Sequence, residues 1–181
     1  MAVHDQLNAL IANRFVRLES SAAGIKARDQ ETAQTVLLVD APTLDARLVG
    51  VFHPALVSVF AIVDHQGRRL AASEFVQGRS LKELFHGEPC HPRRAAEIVS
   101  EIADGVAELH ARGIIHGNIT QASAILTTKG KARLRLTSAI GGDDEVLDVN
   151  ELKVLLKTIG GQPNDAANHS QSAAVLAASL R

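Results

Sequence analysis

Residues Ile114 to Leu126 read IIHGNITQASAIL. An apolar pair runs into His116, a turn-prone Gly117-Asn118, a polar stretch, and an apolar Ala124-Ile125-Leu126. The pattern is that of a polar loop between a helix and a strand. Loops so placed carry chemistry when they present a group able to take a proton. Here Asn118 stands where a carboxylate is needed, and an amide accepts no proton at neutral pH. Whether this loop is a reactive site or only the framework of one decides how the rest of the chain is read.

Just upstream lies the clearest helix, Pro92–Arg112. Ala95, Val99, Ile102, Val106 and Leu109 recur every three or four residues, and Gly113 stops it. Just downstream, SAILTTKGKARLRLTSA predicts a hairpin with Lys129-Gly130 at its tip. Glu145–Ile159 is a second amphipathic helix, with Val149, Leu152, Leu155, Leu156 and Ile159 on its apolar side and Gly160-Gly161 ending it. QPNDAANHSQS reads as a polar linker, and AAVLAASLR as a short terminal helix. Before the long helix, GRSLKELF has Ser80 as cap and Leu81, Leu84 and Phe85 at helical spacing.

The first 76 residues have a different character. Residues 5–14 predict a weak amphipathic helix, and Phe15–Leu18 begins a strand. SSAAG at Ser20–Gly24 is a turn. Ile25–Asp29 and Gln34–Asp40 form a hairpin around QETA. Pro42–Val51 leaves room for a short helix. His53–Asp64 and Arg68–Val76 make another hairpin, turned at HQGR. The fold class expected is α+β: a small antiparallel β-rich lobe followed by a helical one.

The chain has 181 residues, 46% apolar and 22% charged, with a net charge of −1. That is the composition of a folded domain, with no global field for nucleic acid or anionic lipid. Trp and Tyr are absent and there are five Phe, too few for base stacking. No apolar run is long enough to cross a bilayer, and the N-terminus lacks the order of a secretory signal. Cys90 is the only cysteine, which fits a reducing cytoplasm.

Over roughly Arg14–Gly161 the sequence resembles the protein kinases, in particular the bacterial Ser/Thr kinases. KARDQETAQTVLLVD resembles the family's second and third strands, and HPALVSVFAIVD its HPNIVRVYDV stretch. LAASEFVQGRSLKELF is similar to the fifth strand, hinge and following helix. RAAEIVSEIADGVAELHARGIIHGN is similar to the long helix leading into the H-R-D loop, and DVNELKVLLKTI to the next core helix. The resemblance implies a two-lobed kinase-like domain over 1–161. Its N-lobe would be about 14–76, its hinge about 74–80 and its C-lobe about 80–161, with 162–181 as linker and terminal helix.

The same resemblance locates the family's chemistry, which does not survive residue by residue. The phosphate-gripping lysine falls on Val39. The strand-turn-strand that should cover the phosphates is short and keeps only Gly24, and Asp45 is the one acid left in a shortened helix. The catalytic base falls on Asn118, the metal-binding Asn on Ser123, and the D-F-G carboxylate on Leu136, followed by Thr137 and Ser138. The expectation is therefore a degenerate pseudokinase, not an enzyme, with no cofactor and no metal. His116, Ile125, Leu126, Asp148, Leu155 and Ile159 match the structural core of the former site.

Plainer readings stand beside these. His116 is a packed histidine rather than a base. His86, Cys90 and His91 lack the spacing and fourth ligand of a zinc site. Arg93-Arg94 and Lys129, Lys131, Arg133 and Arg135 read as solvated surface. Ser20-Ser21 and Thr127-Thr128 read as turn residues. In the family further helices bury the second core helix, and here little follows it. The apolar faces of Pro92–Arg112 and Val146–Ile159 are thus expected to need a protein partner or a second copy, unless 171–181 folds back to cover them. The functional expectation is a cytoplasmic regulator or scaffold working by protein–protein contact, with no nucleic acid and no membrane insertion. The alternative is a module that senses ATP without metal.

Overall fold

The computed structural model describes residues 10–136, 140–141, 144–160 and 170–181. They fall into two compact units, one of residues up to Val51 with Ser58–Val76, the other of Phe52–Val57 with Gln77–Arg181. The protein is α+β.

The first unit is a six-stranded antiparallel sheet. In chain order its strands are β1 (Leu10–Ile11), β2 (Phe15–Ser21), β3 (Gly24–Asp29), β4 (Thr35–Asp40), β5 (Val59–His65) and β6 (Arg68–Glu74). Their spatial order is β1-β2-β3-β4-β6-β5. Strand alternation sends Val36 and Leu38 of β4 into a core with Ile11, Phe15, Ala27, Leu70 and Ala72. The turn between β5 and β6 puts Gln66 at φ 51° and Gly67 at φ 74°, the left-handed pair that matches strand twist. At the β2–β3 turn Gly24 has φ +135°, and an added Cβ would sit 2.5 Å from the Leu38 carbonyl oxygen. Only glycine fits there.

Two expected helices are corrected. Leu10–Ile11 is strand, paired with Val16 and Phe15, and Ala12-Asn13 turn at φ 52° and 56°. Asn tolerates that conformation, and burying Ile11 and Phe15 outweighs a weak helical pattern; residues 5–9 lie outside the described residues. In Pro42–Val51 only Ala46–Leu48 is helical, a 3-10 turn capped by the Asp45 side chain.

In the second unit, β7 (Gly78–Ser80), β9 (Ala124–Thr127) and β10 (Ala132–Leu134) form a sheet in the order β10-β9-β7, and β8 (Ile114–Ile115) pairs with β11 (Ile140–Gly141). The helices are α1 (Leu81–Phe85), α2 (Pro92–His110), α3 (Glu145–Gly160) and α4 (Ala173–Ser179). Ser80 and Glu83 close a reciprocal capping box on α1. Residues 53–57, expected as strand, instead reach the hairpin: Val57 N–H donates to Leu134 O at 2.9 Å, and Leu134 N–H to Ala55 O at 2.7 Å.

Helix α2 is the spine of this unit, burying Ile98, Val99, Ile102, Val106 and Leu109. Helix α3 comes so close that a Cβ on Gly160 would lie 2.1 Å from that of Ala95. Helix α4 folds back onto α2. Its Ala173, Leu176 and Ala177 are buried, and the Ser100 hydroxyl donates to Ala177 O at 3.0 Å. Burying a leucine such as Leu176 stabilises by about 1.5–3 kcal/mol. The chain thus covers this face of α2 itself, the alternative that residues 171–181 offered. On α3, Val146, Leu147 and Val154 remain exposed.

Candidate functional site

The loop that opened the sequence analysis is built around Asp148, at 0% exposure in the first turn of α3. One carboxylate oxygen accepts the His116 N–H at 2.8 Å, and the other the Gly117 N–H at 2.7 Å. His110, at the end of α2, brings Nε2 to 2.8 Å from the same carboxylate and Nδ1 to 3.4 Å from Glu145. One side chain therefore ties the end of α2, the loop and the start of α3 together. Burial alone would raise the Asp148 carboxyl. The bonds from His110, Gly117 and His116 outweigh it and hold the group below its usual range.

His116 is also fully buried, and burial pushes its imidazole below the ordinary histidine value, toward the neutral form. The network assigns the tautomer: Nε2–H donates to the Arg135 carbonyl at 2.6 Å, and Nδ1 accepts the Asn118 N–H at 3.3 Å. Both ring nitrogens are occupied, so the residue fixes the loop against the strand. Glu151, one turn on from Asp148, accepts the Ile119 N–H at 2.7 Å. Burial raises its carboxyl, the Ile119 bond opposes this, and the nearby Asp148 charge adds to the rise.

The remaining positions are placed as follows. Asn118 is exposed. The Ser123 hydroxyl accepts the Thr120 N–H at 2.8 Å and donates to the Asn118 carbonyl at 3.0 Å, so it is spent inside the loop. Ile125, Leu136, Leu155 and Ile159 are buried, and Leu126 is half-buried. In the first unit Val39 is half-buried on β4. Thr137 and Ser138 lie outside the described residues. A hydroxyl consumed by its own loop and a buried leucine do not fit a magnesium ion, which takes carboxylate and phosphate oxygens.

Sequence reasoning missed His110, Glu145, Glu151 and Arg135. Their partners lie 30 or more residues away or in the backbone, where spacing gives no signal. The basic residues of the hairpin are also corrected. Arg133 and Arg135 are half-buried rather than solvated, and an Arg133 guanidinium nitrogen donates to the Leu56 carbonyl. Burial pushes the Cys90 thiol up, and its N–H donates to Ile159 O at 2.7 Å. His91 caps α2. Among the described residues no three His, Cys, Asp or Glu form a metal cluster.

No family model matches the chain. Individual proteins do. It is 28% identical to the serine/threonine-protein kinase pkn2 of Myxococcus xanthus, over 73% of this chain and 14% of that protein. It is 29% identical to the serine/threonine-protein kinase PknJ of Mycobacterium tuberculosis, over 54% and 15%. It is 26% identical to the serine/threonine-protein kinase PrkC of Bacillus subtilis, over 45% and 13%. The chain spans about a seventh of the length of these relatives. Its homologues are serine/threonine protein kinases and its fold is kinase-like. This overturns the expectation that the chain is not an enzyme, because the relatives are named as members of an enzyme family.

Proposed function

We propose that this kinase-like chain works by binding a protein partner, in the first instance a second copy of itself, and that it regulates through that contact. The observation that carries the reading is the row of exposed apolar side chains on α3. Val146, Leu147 and Val154 are 57%, 45% and 64% exposed. Leu147 and Val154 are two turns apart and so share one side of the helix. Val175 on α4 is exposed as well. Apolar groups aligned on one helix side, rather than scattered singly, mark a contact surface. The loop on Asp148 supplies the rigid support that such a surface needs.

Sedimentation velocity over a range of protein concentrations tests this, run on the wild type and on the paired variant Leu147→Lys, Val154→Lys. The expected result is a dimer that the pair reduces to a monomer with an unchanged circular dichroism spectrum. A monomer at every concentration, binding no apolar dye, would overturn the reading. Because the relatives are kinases by name, the same samples are assayed for phosphate transfer from Mg-ATP. Transfer undiminished in the monomeric pair would make the association incidental.

A further inference from the structure

We infer that a cavity between α2, the β9–β10 hairpin and the 53–57 segment takes an arginine side chain of a partner peptide, with Arg181 as the chain's own competitor. All three walls belong to the second unit, and the cavity holds about 440 Å³. That lies within the roughly 300–1,000 Å³ of pockets that bind small ligands. Pro54, Ala55 and Ala132 form its apolar part. The walls are fixed in place. The 53–57 segment is tied to β10 by the Val57–Leu134 and Leu134–Ala55 bonds. It also rests on α2 at Gly105, where an added Cβ would lie 2.8 Å from a Leu56 methyl carbon and 3.2 Å from the Ala55 Cβ.

The polar side chains around the cavity differ in what they have left to give. Glu101 is spent: Oε1 meets Lys131 Nζ at 2.7 Å, and Oε2 accepts the Ala132 N–H at 2.7 Å. It staples the hairpin to α2 and cancels the Lys131 charge. Asp104, three residues on and so on the same side of the helix, is not spent. An Arg181 guanidinium nitrogen donates to its Oδ2, while its Oδ1 accepts no hydrogen bond among the described residues. The two side chains are 39% and 62% exposed, a setting in which ion pairs are weak and exchange partners readily. His53 accepts the Ala55 N–H through Nδ1 at 3.2 Å. That assigns the ring proton to Nε2, a donor with no partner among the described residues. The cavity therefore offers one uncommitted carboxylate oxygen, one uncommitted N–H and an apolar wall. An arginine in peptide linkage answers all three. Its guanidinium takes a carboxylate through parallel N–H bonds, its stem packs on apolar surface, and its backbone carbonyl accepts from an imidazole N–H. Arg181 already shows that this carboxylate takes a guanidinium.

This site goes beyond the α3 contact and does not rest on it, and Asp104→Asn is expected to leave sedimentation unchanged. The test is NMR titration of the full chain with the tripeptide acetyl-Ala-Arg-Ala-amide. Its counterpart with citrulline in place of arginine has the same shape without the charge. The arginine peptide is expected to move the amide signals of Ala55, Asp104 and Ala132, and the citrulline peptide to leave them in place. Asp104→Asn should weaken binding at least about tenfold with the remaining signals of α2 unchanged, since the bond to a charged acceptor is lost. Arg181→Ala removes the competitor and should tighten binding. No movement in the wild type, equal movement with the citrulline peptide, or undiminished binding in Asp104→Asn would overturn the inference. Binding no tighter in Arg181→Ala would overturn the claim that the two arginines share Asp104.

Discussion

Among the described residues each unit buries one aspartate almost completely, and the two are used differently. Asp29, at the end of β3, is 1% exposed and pairs with a cation. Arg14 grips it with two bonds of 2.8 and 2.7 Å, while Thr32 and the Glu31 N–H fill its remaining acceptors at 2.8 and 3.0 Å. The Arg14 bond is the largest cause holding its carboxyl far below the usual range, with burial opposing. All its partners lie within 15 residues, so it is a local staple across β2, β3 and the turn after them. Asp148 has no guanidinium among its described partners. It spends its charge on two backbone amides and a histidine, 31 to 38 residues away. A local ion pair secures a hairpin. A buried carboxylate facing backbone donors fixes a loop that has no regular ladder of its own.

The largest effect expected is from Asp148→Ala. It leaves two buried amides and an imidazole without their acceptor, at a cost of about 3–5 kcal/mol, read by denaturant unfolding. Asp29→Ala should cost less, about 2 kcal/mol, because the Arg14 left behind is 22% exposed and water can reach it. Equal losses would break the contrast between the two sites. Both carboxyls are held below their unfolded values. Their contributions are therefore full above the unfolded pKa of about 3.9 and are lost as pH falls through the native values. Stability measured from pH 7 downward should fall more gently in Asp29→Asn than in the wild type.

Ser80→Ala removes one half of the capping box and should cost about 1 kcal/mol, with no effect on the Asp148 loop. The smallest effect is expected from Glu151→Gln. Its native carboxyl is raised, so the ionised form carries an unfavourable burial term near neutral pH, and the amide oxygen still accepts from Ile119. A change within about 0.5 kcal/mol of zero is expected at pH 7. A large loss there would show that the loop depends on Glu151 as much as on Asp148.

The elements legible in the sequence were those that carry their own period or cap. The apolar run within Gln34–Asp40, the apolar stripe of α2 and the Ser80 cap each declare themselves through neighbouring residues. The strands β7, β8 and β11 span two or three residues and exist only through distant partners, so no periodicity announces them. His53–Val57 has the composition of a strand but bonds to β10, which lies almost 80 residues away. In the site, His116, Asn118 and Asp148 were readable because they sit in a recognisable order. His110 was not, since a histidine ending a helix has many uses. Nor was Arg135, whose Nε is buried with no hydrogen-bond partner among the described residues, a property of three-dimensional surroundings.

The most direct test of the account is amide hydrogen exchange at His116 and Gly117, followed by NMR in the wild type and in Asp148→Asn. The account expects both amides to be protected in the wild type to a degree close to those of α2. In the variant their exchange should quicken by at least about tenfold, each having lost a charged acceptor, while the amide of Ala27 in the first unit stays as it was. Equal protection in both proteins would contradict the claim that Asp148 holds this loop.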